Sequence, residues 1–276
     1  SSVPGPIGIF DSGYGGLTIF DKIRAAMPGY DYIYLGDNAR SPCGTRSFEV
    51  VYRFTKQAVE TLFNEGCQLV ILACNTASAK ALRTIQQRDL PQWDPARRVL
   101  GVIRPTVELM DKISKSKHVG ILGTTGTITS DSYSLEIKKM FPHMTVTGEA
   151  CPMWVPLVEN NEFDSPGADY FVRKHLEHIL AADPEIDTLV LGCTHYPLLI
   201  EKIKAFLPEG ITLFSQGEYV AASLTDYLRR HPEMDIRLTK QGNCRFLTTE
   251  SAAKFSDAAS VFLNHPVEVE QIRLVE

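Results

Sequence analysis

The sequence predicts an α/β protein of two pseudo-symmetric three-layer α/β/α lobes with mainly parallel sheets and an active site in the cleft between them. Three observations predict it. Short apolar runs alternate with amphipathic helical runs along the chain, the pattern of parallel sheets covered on both faces. Leu69–Ser78, LVILACNTAS, runs a buried strand straight into a cysteine followed by hydrogen-bonding residues, and Leu189–Pro197, LVLGCTHYP, repeats the design with Cys193. The strand and polar loop Gly8–Gly13, GIFDSG, likewise has a later counterpart in Gly120–Thr125, GILGTT. Strand, polar loop and cysteine-ended strand therefore occur twice in the same order, as an internal duplication would leave them.

Composition sets the bounds. The 276 residues suit two domains of roughly 100–200 residues each. Hydrophobic content of 44% and charged content of 22% allow a full core, and a net charge of −5 without any basic run argues against a nucleic-acid partner. The six cysteines lie far apart and form neither a small disulfide framework nor a CxxC metal pair. Free thiols, a reducing cytoplasmic setting and no metal are the expectation. There is no run of 18 apolar residues and no basic-then-apolar leader, so no membrane partner is expected.

The elements follow in order. Ile7–Phe10 is a strand, broken by Asp11–Gly16, and Leu17, Phe20, Ile23 and Met27 then keep helical spacing until Pro28-Gly29. Tyr32–Leu35 is a strand and Ser41–Gly44 a turn. Phe48, Val51, Thr55, Ala58, Val59 and Leu62 mark an amphipathic helix capped by Ser47 and stopped by Gly66. Strand Leu69–Ala73 precedes a helix over Thr76–Gln87. Gln92–Pro95 is a turn-rich linker, after which a strand at Val99–Ile103 and a helix near Val107–Ile113 restart the alternation. Strand His118–Leu122, helix Ser132–Met140, strand Thr145–Ala150 and a helix near Ala168–Ala181 lead to the second cysteine strand. Leu207–Gly210 is a second crossing point, followed by a strand near Ile211, a helix at Tyr219–Arg230, a strand at Arg245–Thr248 and a helix capped by Ser251. One lobe is thus expected to comprise residues 1–97 with 208–276 and to carry Asp11 and Cys74. The other, 98–207, carries Glu159, Cys193 and His195.

Two thiols that face one cleft suit a particular chemistry. A thiol with an ordinary pKa near ~8.5 needs a base, a positive charge or a helix N-terminus to become a thiolate. Each cysteine is followed by a helix-start pattern, Asn75-Thr76 and Thr194-His195, which also offers N–H groups to an anion. His195 is a candidate partner for Cys193, and Asp11 for Cys74. Singly, a strand-end cysteine is structural, Asp11 an N-cap, His195 a core residue and Glu159 a surface carboxylate. Their pairing changes that: one thiolate removes a proton from a carbon and the opposite thiol delivers one to its other face, which is two-base racemisation. Ser12, Asn75, Thr76 and Thr194 are neutral groups suited to fixing carboxylates, and Asp11 is the first candidate for an ammonium.

The runs IGIFDSGYGGL, YLGDNARSPCGTRS, ILACNTAS, WVPLVE and LGCTHYPLL, spread from residue 7 to residue 199, resemble the glutamate racemase family. The resemblance implies a cofactor-independent enzyme interconverting L- and D-glutamate and supplying D-glutamate for peptidoglycan. It implies Cys74 and Cys193 as acid/base thiols, with Asp11, Glu159 and His195 in support. Substrate contacts are implied at Asp11, Ser12, Cys43, Gly44, Asn75, Thr76, Thr194 and His195, and a homodimer as the assembly. The chain departs from the pattern at Cys43, where the family usually has a tyrosine, and at Tyr14, where it often has a small or aliphatic residue.

Aspartate or hydantoin racemisation is the nearest rival activity. A non-catalytic two-lobed amino-acid-binding protein would share the cleft but has no need of two thiols. A dinucleotide-dependent oxidoreductase fails on spacing, since Thr18 stands where GxGxxG needs its third glycine. Pyridoxal phosphate is disfavoured because no lysine sits in a strand-end motif. A thiol–disulfide oxidoreductase would need Cys74 and Cys193 within disulfide distance.

Overall fold

Ten strands, of which Ile7–Asp11, Tyr32–Gly36, Leu69–Leu72 and Thr188–Leu191 are buried along their whole length, build two separate sheets in the computed structural model, which describes residues 3–41, 43–44 and 46–274. The turn expected at Ser41–Gly44 contains Pro42, which lies outside the described residues. The strands are β1 (Ile7–Asp11), β2 (Tyr32–Gly36), β3 (Leu69–Leu72), β4 (Arg98–Leu100), β5 (His118–Gly123), β6 (Thr145–Ala150), β7 (Thr188–Leu191), β8 (Thr212–Ser215), β9 (Cys244–Thr248) and β10 (Val269–Gln271). The first sheet has the order β10-β9-β2-β1-β3-β4 and the second β6-β5-β7-β8. Every pairing within them is parallel. Phe10 sits opposite Leu72 in the first sheet and Leu122 opposite Leu191 in the second, so each cysteine strand lies beside the strand that leads its lobe.

The expected lobe boundaries misplace two strands. Arg98–Leu100 pairs with β3 and belongs to the first sheet, whereas Thr212–Ser215 pairs with β7 and belongs to the second. A turn-rich segment marks where an element stops, not which sheet the next strand joins. The chain changes sheets at Gly101-Val102 and returns at Gln216. Trp93 is also no linker: the helical path that begins at Asn75 continues past Gln87, through a wide turn at Ile85–Asp89, to Leu90–Trp93.

Helices cover both faces of each sheet. They are α1 (Gly16–Ala26), α2 (Phe48–Asn64), α3 (Asn75–Lys80), α4 (Ile103–Ile113), α5 (Thr125–Thr129), α6 (Ser132–Met140), α7 (Trp154–Glu159), α8 (Pro166–Ala182), α9 (Ile200–Phe206), α10 (Gly217–Arg230) and α11 (Ala252–Leu263). Leu17 and Phe20 of α1 meet Val220 and Leu224 of α10 on one face of the first sheet; Val59 and Leu62 of α2 fill the other. Leu176 and Ile179 of α8 and Val107 and Met110 of α4 cover the two faces of the second sheet. Ser47 caps α2 by accepting the Val50 N–H, and Gly66 ends that segment at φ +100°. Phe48, expected inside, is 52% exposed, because it starts the helix one turn before the apolar face engages the sheet.

Asp187, just before β7, shows how a loop is fixed to the second sheet. Its carboxylate accepts from Ser114 Oγ (2.6 Å), Lys115 N (2.9 Å), Ser116 N (2.8 Å) and Thr188 Oγ1 (3.0 Å). Burial alone would raise its pKa, but these bonds outweigh burial and hold it down at about 2. A folded pKa below the unfolded one contributes stability above pH 3.8 that is lost as pH falls toward 2. Asp187→Ala is expected to cost about 1–3 kcal/mol in denaturant unfolding at pH 7. That deficit should shrink between pH 4 and 2, and one independent of pH would contradict this account.

Candidate active site

The carboxyl ends of the central strands of both sheets open on one cavity. Its wall takes Asp11, Ser12, Cys43, Gly44, Cys74, Asn75 and Thr76 from the first lobe, and Cys193, Thr194 and His195 from the second. Glu159 does not line it. It stands behind His195, with Oε1 2.7 Å from Nε2. Ser41, Thr124, Thr125, Cys151, Pro152, Val155 and Pro156 complete the wall and were missed in the sequence. A signal existed for Cys151, which directly follows strand β6 much as Cys74 follows β3.

Local sequence sets these positions. Cys74 is the N-cap of α3, where its Sγ accepts the Ala77 N–H at 3.4 Å and meets Ser12 Oγ at 3.4 Å. Cys193 differs: its side chain caps no helix, and a 3₁₀ turn at Tyr196–Leu199 follows it and runs on into α9. The helix expected to start at Thr194-His195 begins only at Tyr196. Cys193 Sγ lies 4.0 Å from His195 Nδ1 instead.

Electrostatics holds the Cys74 thiol neutral. Burial pushes the Cys74 thiol well up, and the neighbouring Asp11 carboxylate pushes the same way, so Asp11 keeps Cys74 protonated rather than ionising it. Asp11 is itself raised, chiefly by burial, with His195 opposing; its Oδ2 accepts the Gly16 N–H at 2.7 Å. Burial works against a charged His195 ring, yet the contact with Cys193 and the bond to Glu159 outweigh it and raise the ring to about 10. At 4.0 Å against 2.7 Å, the Glu159 bond is the firmer hold. The imidazolium donates Nε2–H to Glu159 and presents Nδ1–H to the Cys193 sulfur.

Cys43 forms a small cluster with Val51 and Phe54, and burial leads the causes that lift its thiol to about 11, leaving it neutral. All six cysteines are free, Cys74 and Cys193 included. Tyr14 reaches away from the cavity, donating its hydroxyl to Glu250 and packing against Phe255 and Phe262 of α11, while Phe262 meets the His195 ring edge-on at 5.8 Å.

Small residues bring the lobes together. A Cβ on Gly15 would lie 2.3 Å from His195 Nδ1 and 2.4 Å from Thr194 Oγ1, so the DSGYGG loop is glycine-rich to let the second lobe approach. Thr18 Oγ1 donates to Thr194 O at 2.9 Å, Thr76 Oγ1 meets Thr124 Oγ1 at 3.0 Å, and Gly126 N donates to Gly44 O. Among the described residues, Glu149 with His175 and His178, and His118 with Asp183 and Glu185, have donor atoms close enough to share a metal ion. Neither group lines the cavity.

Residues 14–231 match a family model described as Asp/Glu/Hydantoin racemase, which places the chain among racemases, an isomerase class. A glutamate racemase from Roseobacter denitrificans is 39% identical, with 95% of this chain and 98% of that protein covered. One from Shouchella clausii is 40% identical, covering 98% and 94%. The crystal structure of a glutamate racemase isoform from Bacillus anthracis superposes with a TM-score of 0.88 at 35% identity, covering 98% of this chain and 97% of that one. That of the Francisella tularensis enzyme in complex with D-glutamate gives 0.85 at 32%, covering 99% and 98%. The Escherichia coli glutamate racemase, crystallised with L-glutamate and the activator UDP-MurNAc-ala, gives 0.78 at 26%, covering 99% and 100%. The chain belongs to the glutamate racemase family. No helix among the described residues is long and apolar enough to cross a membrane.

Proposed function

We propose that the protein interconverts L- and D-glutamate by two-base proton transfer at Cα, with Cys74 and Cys193 as the thiols and no cofactor. The observation that carries this is the placement of two strand-end cysteines, one from each sheet, on the wall of one cavity. Relatives crystallised with D-glutamate and with L-glutamate support the choice of substrate.

In this reading the resting site is asymmetric. Cys193, whose sulfur faces His195 Nδ1 at 4.0 Å, removes the Cα proton of one enantiomer. Cys74, kept protonated by burial and Asp11, delivers a proton to the opposite face. The opposite direction begins once the proton has moved. Ser12, Asn75, Thr76, Thr194 and the Cys43-Gly44 backbone hold the carboxylates, and Asp11 receives the ammonium. The same reading makes the protein a cytoplasmic homodimer that supplies D-glutamate to peptidoglycan, as the resemblance implies. Sedimentation of the purified chain checks the dimer.

Incubation of L-glutamate with the enzyme in heavy water tests the chemistry: D-glutamate should form with deuterium at Cα. Product without deuterium would sink the two-base scheme, and ligand binding without turnover would favour a binding protein. Glu159→Gln removes the firmest support of the His195 charge, so the ring falls back from about 10 toward its usual 6.5. Turnover at pH 8 is expected to fall about tenfold, with the alkaline limb of the pH–rate profile moving to lower pH. An unmoved limb would remove Glu159 from the mechanism.

A further inference from the structure

A buried polar node joins the lobes directly behind Asn75. Gln216, 2% exposed, marks the return crossing of the chain. Its Nε2 lies 3.3 Å from Val102 O at the outward crossing, 2.8 Å from Thr106 Oγ1, 2.8 Å from Tyr133 Oη and 3.0 Å from Asn75 Oδ1. The Val102 carbonyl can only accept and already receives the Thr106 hydroxyl at 2.8 Å. Gln216 must therefore turn its NH₂ toward Val102 and its Oε1 toward Asn75. There Oε1 accepts one hydrogen of Asn75 Nδ2 at 2.6 Å, while Tyr133 donates to Asn75 Oδ1 at 2.7 Å. Flipping the Asn75 amide would set oxygen against oxygen and NH₂ against NH₂. One backbone carbonyl thus fixes two amides in sequence. An asparagine amide has two hydrogens; one is held by Gln216, and Asn75 lines the cavity next to Cys74.

We propose that Gln216 is a positioning residue of the racemase: it acts through Asn75, keeping that side chain's second N–H available to a substrate carboxylate. The proposal rests on the racemase reading above. Because the hydrogen bond it protects is made in ground and transition states alike, its loss should appear in KM rather than kcat.

Glutamate racemisation by the full chain, its Gln216→Met and Asn75→Ala variants and the double variant tests this. Gln216→Met is expected to raise KM about tenfold with kcat within about twofold, and Asn75→Ala to do the same. The double variant should be no worse than Asn75→Ala, since both changes remove one contact. Multiplying effects, or a lowered Tm with unchanged KM, would overturn the proposal by leaving Gln216 a structural residue. Should Gln216→Met not fold, Tyr133→Phe removes the other hold on Asn75. It should raise KM about threefold in the native background and not in Asn75→Ala; no rise in the native background would overturn the proposal equally. A wild-type enzyme inert toward both glutamate enantiomers would instead refute the racemase reading, a separate outcome.

Discussion

Replacing Cys74 or Cys193 with serine should lower interconversion of L- and D-glutamate by at least about 10³-fold in both directions, roughly 4 kcal/mol of barrier. The side chains are nearly the same size, so the loss isolates acidity. An alcohol is too weak an acid to donate the proton that Cys74 holds, and its conjugate base is inaccessible at the place of Cys193. Both sites are buried, at 6% and 7% exposure, so water cannot stand in for the missing thiol. The asymmetry of the site adds a finer expectation. Cys74→Ser leaves Cys193 beside His195, so one enantiomer should still exchange its Cα proton with heavy water without inverting. Cys193→Ser leaves only Cys74, which burial and Asp11 hold protonated, so exchange should be lost for both enantiomers. Full racemisation by either variant would remove that thiol from the reaction.

Gly15→Ala is expected to cost about 10²-fold in kcat/KM while leaving the first lobe folded. Gly15 has φ −60° and ψ −29°, a conformation alanine favours, so backbone freedom is not what the position requires. The obstacle is space: the new methyl would also meet the His195 backbone nitrogen at 2.7 Å, and backbone cannot turn aside. The second lobe would have to retreat by about an ångström, carrying Cys193 away from Cys74, and a displacement of that size is worth about 10² in rate. Gly29→Ala is the control, since a Cβ there meets nothing within 4 Å. Native kcat/KM in Gly15→Ala would show that the lobes tolerate a wider gap.

Much of this was legible in the sequence because it depends on local pattern. Period and length identify β1, β3, β5 and β7, and Ser47 and Ser251 mark real helix starts. The cysteine repeat pointed to both thiols because each strand end carries its own signature. What stayed hidden depends on pairing across the chain. Arg98–Leu100 is only three residues long, and nothing in RVL says that its partner is β3 rather than β5. The part played by Glu159 was blurred for the same reason: a carboxylate ending α7 looks like a surface residue until His195 is folded against it. Gln216 carries no motif at all, and its importance comes from four acceptors contributed by three distant segments.

The sheet order has a consequence for synthesis. The second sheet is assembled wholly from residues 118–215, a continuous stretch, whereas β2 of the first sheet is flanked on one side by β9, which is made more than 200 residues later. Until Cys244–Thr248 emerges from the ribosome, Tyr32–Gly36 presents an open row of amides and carbonyls on an apolar strand, the kind of edge that recruits foreign strands. A nascent chain stalled before residue 244 is therefore the aggregation-prone species of this protein, and the last strands to be made close the sheet on which the Ser12–Gly15 loop rests.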